Sequence, residues 1–193
     1  MGADVHFCAT CDGAFYRGKD VLVIGGGNSA SEESIFLTKF ADSVTIPVRG
    51  DALSASPVIV EKIAEDEKID VLTNVEAVEF RGDGKLEAVV LADTNTGEQR
   101  ELQPDGVFVF VGLSPNTDVV KGDVDHDERG FIVTDPTLET SVPGIFAAGD
   151  VRAGSTKQAA SAAGEGAAVA LAIRRYIEPL ASGIRTAKPV AAD

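Results

Sequence analysis

The chain has 193 residues, 44% hydrophobic and 25% charged, so it carries enough apolar residues for one domain or two small ones. Its 17 basic and 31 acidic residues give a net charge of −14, which excludes a basic surface for nucleic acid or anionic membranes. No apolar stretch approaches the roughly 18 residues that span a bilayer, and residues 1–7 lack the features of a signal peptide. The sequence therefore predicts a cytoplasmic protein.

The first elements alternate between strand and helix. A β-branched run at residues 20–24 ends at three consecutive glycines and is followed by helical apolar spacing at residues 28–40. Residues 43–48 form a second predicted strand, and Ser56 with Pro57 begins a helix that ends near residue 65. This order predicts a Rossmann-like parallel sheet with helices.

Short strands separated by turn signals follow. The apolar runs lie at residues 71–72, 75–80, 86–91 and 98–102, and residues 95–97 mark a hairpin. A continuous apolar run at residues 107–111 predicts a strand that is buried on both faces. The sequence therefore adds a β-meander to the parallel sheet.

The last third of the chain contains weaker signals. Its predicted elements are a solvated acidic loop at residues 118–130, an apolar strand at residues 144–148, a long Ala- and Gly-rich helix at residues 155–176 and a flexible tail at residues 183–193.

A glycine motif lies between the first strand and the first long helix. Gly25, Gly27 and Ala30 match the G-x-G-x-x-A form of the dinucleotide-binding fingerprint, in which backbone closely approaches a pyrophosphate. Asn28 and Ser29 open the helix, whose free N–H groups favour an anion. The motif predicts dinucleotide binding; the alternative is a purely structural glycine turn.

The residues after the second strand leave the type of dinucleotide open. An acid at this place accepts from the ribose 2′-hydroxyl of NAD, whereas cations hold the 2′-phosphate of NADP. Arg49 and Asp51 supply one of each, and Arg49 is equally compatible with a surface position.

The only two cysteines, Cys8 and Cys11, form a C-x-x-C motif near the N-terminus. This spacing permits a disulfide and commonly lowers the pKa of one thiol, which favours redox cycling. The neighbouring Asp12 is a candidate proton donor to a leaving thiolate, or a turn or cap residue. Alternatives for the cysteines are a zinc site with His6 and an inert structural pair, and no metal is predicted.

Several motifs occur in one order along the chain. They are CATCDG at residues 8–13, VIGGGNSA at residues 23–30, SPNT at residues 114–117 and PGIFAAGD at residues 143–150. In this order the chain closely resembles the low-molecular-weight thioredoxin reductases, flavoproteins that carry electrons from NADPH through FAD and a redox disulfide to thioredoxin.

The resemblance implies roles for individual residues. Cys11 would lie next to the flavin, Cys8 would attack the disulfide of the partner, and Asp12 would be the acid–base group. The residues implied to contact FAD are Gly149, Asp150, Lys157, Gln158 and Ala159. The full-length family is also expected to form homodimers.

Two departures from this family shape the expectations. Its members begin with a flavin-binding half that bears its own glycine fingerprint, whereas here residues 5–112 match the NAD(P)-binding domain with the C-x-x-C motif and residues 113–182 match the C-terminal part of the FAD-binding domain. We therefore expect the 193-residue chain to bind FAD weakly or not at all and to have little reductase activity.

The second departure concerns the 2′-phosphate. Where NADPH-preferring members have His-Arg-Arg-x-x-x-Arg, this chain has Val48, Arg49, Gly50 and Ser54. At about 1.5 kcal/mol for each charge-assisted contact, two missing arginines weaken the preference for NADPH by roughly 3 kcal/mol, about a hundredfold. We expect poor discrimination or another donor such as NADH.

The predicted fold class is α/β, a Rossmann-like NAD(P)-binding domain followed by part of an FAD-binding domain. The predicted function is reduction of thioredoxin or a similar disulfide protein with electrons from NADP or NAD in reduced form, through FAD. The alternatives are a dinucleotide-binding remnant or thiol sensor without reductase activity, and a related flavoprotein reductase with a different donor or partner.

Overall fold

The structure is a computed structural model that describes residues 3–181, and the predicted tail at residues 183–193 lies outside the described residues. The chain divides into two compact units, Met1–Gly112 and Leu113–Asp193. The strands are β1 (Val5–His6), β2 (Asp20–Ile24), β3 (Ser43–Val48), β4 (Ile69–Thr73), β5 (Val75–Arg81), β6 (Ala88–Asp93), β7 (Gln99–Leu102) and β8 (Gly106–Val109). The helices are α1 (Ala9–Asp12), α2 (Asn28–Leu37), α3 (Pro57–Glu65) and α4 (Ala159–Ala181).

A five-stranded parallel sheet forms the centre of the first unit, in the spatial order β1-β8-β2-β3-β4. A second sheet, with the order β5-β6-β7, is antiparallel. This arrangement confirms the predicted α/β class, with a parallel sheet and a β-meander. It also explains the long run between β4 and β8, because the meander is inserted before the chain returns to the parallel sheet.

Side chains from both faces of the parallel sheet are buried, and β2 shows how the sequence achieves this. Val21 and Val23 belong to a cluster shared with the helices, whereas Leu22 belongs to a second cluster shared with the meander. Successive residues of a strand point to opposite faces, so an unbroken apolar run fits a strand covered on both sides. The predicted double burial also holds in β8, where Val107 and Phe108 are fully buried.

Several predicted bounds differ from the structure. The helix predicted to residue 40 ends at Leu37, and Phe40 closes its last turn by donating its N–H to the Leu37 carbonyl at 2.9 Å. The strand predicted to residue 111 ends at Val109, and Val111 is 72% exposed. Prediction from apolar character alone therefore makes both elements longer than their regular hydrogen bonding.

The second unit contains fewer regular elements. The strand predicted at residues 144–148 is wrong, because this segment forms only an isolated bridge between Glu139 and Phe146. Leu138 and Gly144 both adopt positive φ, at 68° and 87°, and this backbone interrupts extended pairing. The last helix starts at Ala159, four residues later than predicted, and continues to the end of the described chain.

Apolar burial in the second unit is limited. A small cluster contains Val124, Ile132 and Ala147, and Val124 is the inward-facing residue of the acidic stretch that was predicted as a solvated loop. No side chain of α4 is buried. Within residues 3–181, no helix combines the length and apolar character that crossing a bilayer requires.

Candidate functional site

The two cysteines form a disulfide at the start of α1. Cys8 is the N-cap residue with extended backbone, and one turn brings its Cα to 5.3 Å from that of Cys11. The N–H of Cys11 donates to Cys8 Sγ at 3.1 Å, and the N–H of Asp12 donates to the Cys8 carbonyl at 3.2 Å. Cys11 is exposed and Cys8 is half-buried.

The zinc alternative does not fit this arrangement. Both sulfurs are bonded to each other and cannot act as thiolate ligands in this oxidation state. His6 instead bonds Asp12 and Tyr16 through its two ring nitrogens. Across residues 3–181, no group of three or more His, Cys, Asp or Glu side chains is arranged to hold a metal ion.

Asp12 is anchored through its side chain. Its Oδ2 lies 3.0 Å from Nδ1 of His6, and Nε2 of His6 lies 2.6 Å from the hydroxyl of Tyr16. The Tyr16 hydroxyl in turn donates to Oδ1 of Asp4 at 3.2 Å. The carboxyl makes no side-chain cap bond to the 3-10 turn that follows, so the proposed cap role is absent. Sequence reasoning did not detect this linked set of polar groups.

Packing fixes the position of the linked set. The His6 ring stacks on Phe108 with centroids 5.0 Å apart, and Tyr16 is only 3% exposed. A Cβ at Gly106 would overlap the Tyr16 ring, which explains a glycine at the start of β8. Burial and the neighbouring Asp4 carboxylate raise the pKa of Tyr16 far above its ordinary value, so its hydroxyl remains protonated.

A cleft of about 800 Å³ opens at the carboxyl ends of the central strands. Its walls come from the last residues of β2 and β3, from the segments after β2, β3 and β8, and from two residues of β5, Glu76 and Ala77. Parallel α/β sheets bind ligands at this edge, beside the strand where the connections change direction. The lining residues include Gly25, Gly26, Gly27, Asn28, Ser29, Val48, Arg49, Gly50, Ser54, Glu76, Phe110 and Val111.

The glycines of the fingerprint have separate physical roles. Gly25 has a φ of 137°, and a Cβ there would lie 2.5 Å from the Phe110 carbonyl oxygen and 2.9 Å from Cβ of Ala30. Gly27 has an ordinary φ of −91°, and its Cβ would meet only the Ser54 hydroxyl, at 3.8 Å. The fold therefore requires Gly25 but leaves room at Gly27, where a ligand phosphate can approach the backbone. These residues fit a dinucleotide.

Side chains at the cleft also fasten its loops. The N–H and the hydroxyl of Ser54 both donate to the Gly26 carbonyl, at 2.7 and 3.0 Å. Asn28 accepts from the Ser56 N–H at 2.7 Å, so its side chain holds the loop while its backbone opens α2. Ser29 is exposed in the first turn. The fingerprint predicts that Asn28 contacts the ligand, and nothing in the local sequence indicates this additional bond to the Ser56 loop.

The lining of the cleft includes two charged residues. Arg49 is exposed, and Glu76 from β5 lines the same cleft. Glu76 was missed from the sequence because β5 is distant along the chain and carries no motif. The cleft thus presents one cation and one acid.

The disulfide and the cleft lie at the same edge of one sheet. β1 and β2 flank β8 in parallel; Cys8 follows β1 after one residue, and Gly25 directly follows β2. Neighbouring strands are about 4.8 Å apart, so the two strand ends are about 10 Å apart.

The predicted flavin contacts in the second unit surround an ion pair. Glu165 of α4 accepts from Arg152 at 2.6 Å and from the N–H of Gly149 at 2.7 Å. These bonds hold the pKa of Glu165 at about 2, well below its usual range. Lys157 donates to the Arg152 carbonyl at 2.8 Å and lies 4.0 Å above the ring of Phe131. The sequence did not indicate this ion pair.

The remaining predicted flavin contacts lie close to this ion pair along the chain. Asp150 is exposed next to the buried Gly149. Gln158 and Ala159 stand at the start of α4, where the first backbone N–H groups have no acceptor inside the helix. Donors for an acidic or carbonyl-bearing ligand are therefore present at this end of the helix.

Comparison with known proteins supports this combination of features. The chain matches the family described as "Pyridine nucleotide-disulphide oxidoreductase" over residues 2–166. It is 43% identical over 192 residues to a thioredoxin reductase of Streptomyces clavuligerus, covering 99% of this chain and 60% of that protein. A thioredoxin reductase of Treponema pallidum is 46% identical over 180 residues, covering 93% and 58%.

Solved structures give the same result. The thioredoxin reductase of Streptococcus pyogenes superposes with a TM-score of 0.85 at 40% identity, covering 91% of this chain and 58% of that chain. This chain therefore spans about three fifths of the length of the relatives it matches. With a disulfide and a glycine-lined cleft at one sheet edge and a family match over most of its length, the chain belongs to the pyridine nucleotide-disulphide oxidoreductase family.

Proposed function

We propose that the chain takes part in the NAD(P)H-dependent reduction of a protein disulfide, as in the thioredoxin reductases it resembles. The observation that carries this proposal is the position of the Cys8–Cys11 disulfide and the Gly25–Gly27 cleft at the same edge of one parallel sheet. In this function residues 5–112 are the NAD(P)-binding domain and residues 113–182 are the C-terminal part of an FAD-binding domain. Homodimerisation and a cytoplasmic location stay predictions.

The two sulfurs take different roles in the proposed reaction. The N–H of Cys11 already points at Cys8 Sγ, and a backbone donor stabilises a thiolate on that sulfur once the disulfide opens. This donor supports the role that the family resemblance implies for Cys8, the nucleophile toward the partner. From the resemblance we also propose that Cys11 receives the electrons and that Asp12 is the acid–base group. Bound FAD supplies the transfer of an electron pair between the nicotinamide and the disulfide.

The surface around the disulfide favours a protein partner. Phe7, directly before Cys8, is 56% exposed, and Phe15, in the turn after α1, is 73% exposed. Large exposed aromatic side chains are typical of protein interfaces. We propose thioredoxin or a similar small disulfide protein as the partner.

The cleft supports NADH as well as NADPH as the donor. Arg49 is the single cation at the place of the family's three arginines, because Gly50 and Ser54 line the cleft without charge. Glu76 adds a carboxylate, which accepts from a ribose hydroxyl and repels a 2′-phosphate. We propose weak discrimination between the two donors.

We also propose that the 193-residue chain by itself holds FAD weakly. The side chains of α4 contain an unburied apolar face, and Leu171, Ile177 and Leu180 are each more than half exposed. The second unit therefore contains a helix whose apolar surface is not packed, next to the proposed flavin contacts. Flavin absorbance of the purified chain at one FAD per chain would contradict this.

The function is tested with excess added FAD. We expect oxidation of NADH or NADPH, followed at 340 nm, to depend on oxidised thioredoxin and to be abolished in Cys8→Ser and Cys11→Ser. Thr10→Ser, between the two cysteines, is the matched control and should keep the rate. Donor oxidation that persists without the cysteines, or the absence of donor binding, would overturn the proposal.

A further inference from the structure

In the linked set of His6, Asp12, Tyr16 and Asp4, the donor of each hydrogen bond follows from the bond that Tyr16 donates. The Tyr16 hydroxyl donates to Oδ1 of Asp4 at 3.2 Å, and a hydroxyl has no second hydrogen to donate. The Tyr16 oxygen must then accept from Nε2–H of His6 across 2.6 Å. With Nε2 as a donor, the 3.0 Å contact between Nδ1 and Asp12 Oδ2 needs one proton, carried either by the ring or by the carboxyl.

The two partners of this contact are shielded from water to different degrees. The His6 side chain is 16% exposed and that of Asp12 is 34% exposed, so water reaches the carboxyl more easily than the ring. Phe108 covers the ring by stacking at 5.0 Å. The other charged groups near the set are Asp105, which acts on Tyr16 electrostatically, and Lys19, whose Nζ lies 5.2 Å from the Tyr16 ring centroid.

We propose that His6 is a positioning residue that shares one proton with Asp12, and that this shared proton is the one delivered to the sulfur leaving the partner disulfide. The inference rests on the proposed disulfide exchange and adds the residue that keeps Asp12 supplied with a proton. His6 acts through Asp12 and does not touch the reacting sulfurs.

The exchange balances with this single proton. The Cys8 thiolate attacks one partner sulfur, a mixed disulfide forms, and the partner S–S bond breaks with its electron pair on the second partner sulfur, which takes the proton from Asp12. The Cys11 thiol then gives its proton to the emptied pair and attacks Cys8 Sγ. The internal disulfide closes, and the first partner sulfur leaves as a thiolate. The cysteines lose two electrons, the partner gains two, and the pair returns to its starting state.

The test uses the leaving group as a probe and needs neither FAD nor a nicotinamide donor. The full chain is reduced with dithiothreitol and desalted, and its rate of exchange is measured with two disulfides. One, 2-hydroxyethyl disulfide, releases a basic thiolate that needs a proton. The other, 5,5′-dithiobis(2-nitrobenzoate), releases a thiolate that is stable without one. Because the reducing equivalents are chemical, failure of the donor-driven reaction leaves this test intact.

His6→Asn and His6→Phe separate proton sharing from orientation and packing. Asparagine keeps a donor to Asp12 but carries no exchangeable charge, and phenylalanine keeps the stacking on Phe108. We expect both variants to be about tenfold or more slower than wild type with 2-hydroxyethyl disulfide, and within about twofold of it with the aromatic disulfide. Glu67→Gln, an exposed charge change between α3 and β4, is the control that should alter neither rate.

Three results would overturn the proposal. They are a wild-type rate of His6→Asn with both disulfides, equal slowing of the two reactions, and additivity with Asp12→Asn. In an Asp12→Asn background, the His6 substitution should cause no further slowing, because it acts only through that carboxyl. The proposal stays testable if one of the two His6 variants fails to fold, because His6→Asn and His6→Phe each form a cycle with Asp12→Asn.

Discussion

In the first unit the central sheet is packed on both faces, and Leu22, Leu37 and Phe108 are all fully buried. In the second unit the apolar cluster contains only Val124, Ile132 and Ala147, and no side chain of α4 is buried. Two kinds of contact link α4 to the rest of its unit: the bonds of Glu165 to Arg152 and Gly149, and the edge contact of the Tyr176 ring with Phe146. The disulfide and the glycine-lined cleft thus belong to the unit with the larger apolar core, whereas the proposed flavin contacts lie beside the Glu165–Arg152 ion pair.

The sharpest contrast between the units is the effect of removing an apolar side chain. Leu22→Ala should lower the free energy of unfolding by about 3 kcal/mol, since it leaves a cavity between the sheet and the meander. Ile177→Ala, at a residue that is 52% exposed, should change it by less than about 0.5 kcal/mol. Urea unfolding followed by circular dichroism measures both. Equal losses would show that the α4 face is covered in solution.

In the first unit, we expect Gly27 to be needed for nucleotide binding, because it lets the ligand approach the backbone, and not for the stability of the fold. Gly27→Ala should weaken NADH binding about a hundredfold, because the new methyl occupies the approach of the pyrophosphate. Its free energy of unfolding should change little, since the nearest atom to the new Cβ lies at 3.8 Å. Gly25→Ala is the contrasting variant: its φ of 137° and its contact with Phe110 predict a loss of stability as well. Unchanged NADH affinity in Gly27→Ala would argue for a structural glycine turn.

Donor choice should respond to a single added charge. Gly50→Arg is expected to raise the affinity for NADPH about tenfold and to leave that for NADH nearly unchanged, through one new contact to the 2′-phosphate. The site accepts a side chain, because a Cβ at Gly50 would come no closer than 3.9 Å to its nearest neighbour, the Ala52 carbonyl. Gly50→Gln provides the uncharged control in fluorescence titrations. A wild-type chain that already binds NADPH far more tightly than NADH would contradict the proposed donor.

Because an ion pair of Glu165 helps to stabilise the second unit, we expect the stability of this unit to depend on pH. The folded pKa of Glu165 is about 2, below its usual 4.5, so the ion pair stabilises the unit fully above about pH 4.5. This stabilisation is lost as the pH falls from there toward 2, when the carboxyl takes up a proton. Glu165→Gln should therefore lower the free energy of unfolding by about 1 kcal/mol at pH 7 and leave it unchanged near pH 2. The effect at pH 7 is modest because a side chain that is 17% exposed is partly screened by water. Acid unfolding curves that coincide for the two proteins would show that the ion pair contributes nothing.

Local sequence patterns were sufficient to predict those structures that depend on residues close together in the chain. The Gly25, Gly27 and Ala30 spacing predicted the turn between β2 and α2, and the hairpin at residues 95–97 lies between β6 and β7 as expected. The strand predicted at residues 144–148 failed because a short apolar run does not reveal that Leu138 and Gly144 both take positive φ. Backbone conformation of this kind depends on contacts beyond the run itself.

The sequence did not indicate contacts between residues that come together only in the folded chain. His6 was considered only as a zinc ligand, because nothing in its neighbours indicates bonds to both Asp12 and Tyr16. Glu76 reaches the cleft from β5, and Glu165 reaches Gly149 from 16 residues away. These contacts depend on strand order and helix packing, which motifs do not specify.

The sequence by itself determined the class of this protein, because the C-x-x-C pair, the glycine fingerprint and the apolar runs of the strands are local signals with a direct physical meaning. Only the tertiary structure decided which groups act on one another. The parallel order β1-β8-β2 brings the ends of two strands, and with them Cys8 and Gly25, to one edge. The packing of His6 between Phe108 and Tyr16 holds its ring beside the Asp12 carboxylate, and the two groups form the proposed proton-sharing pair. A hydrogen bond requires a partner within about 3 Å, whatever the distance between the two residues in the sequence.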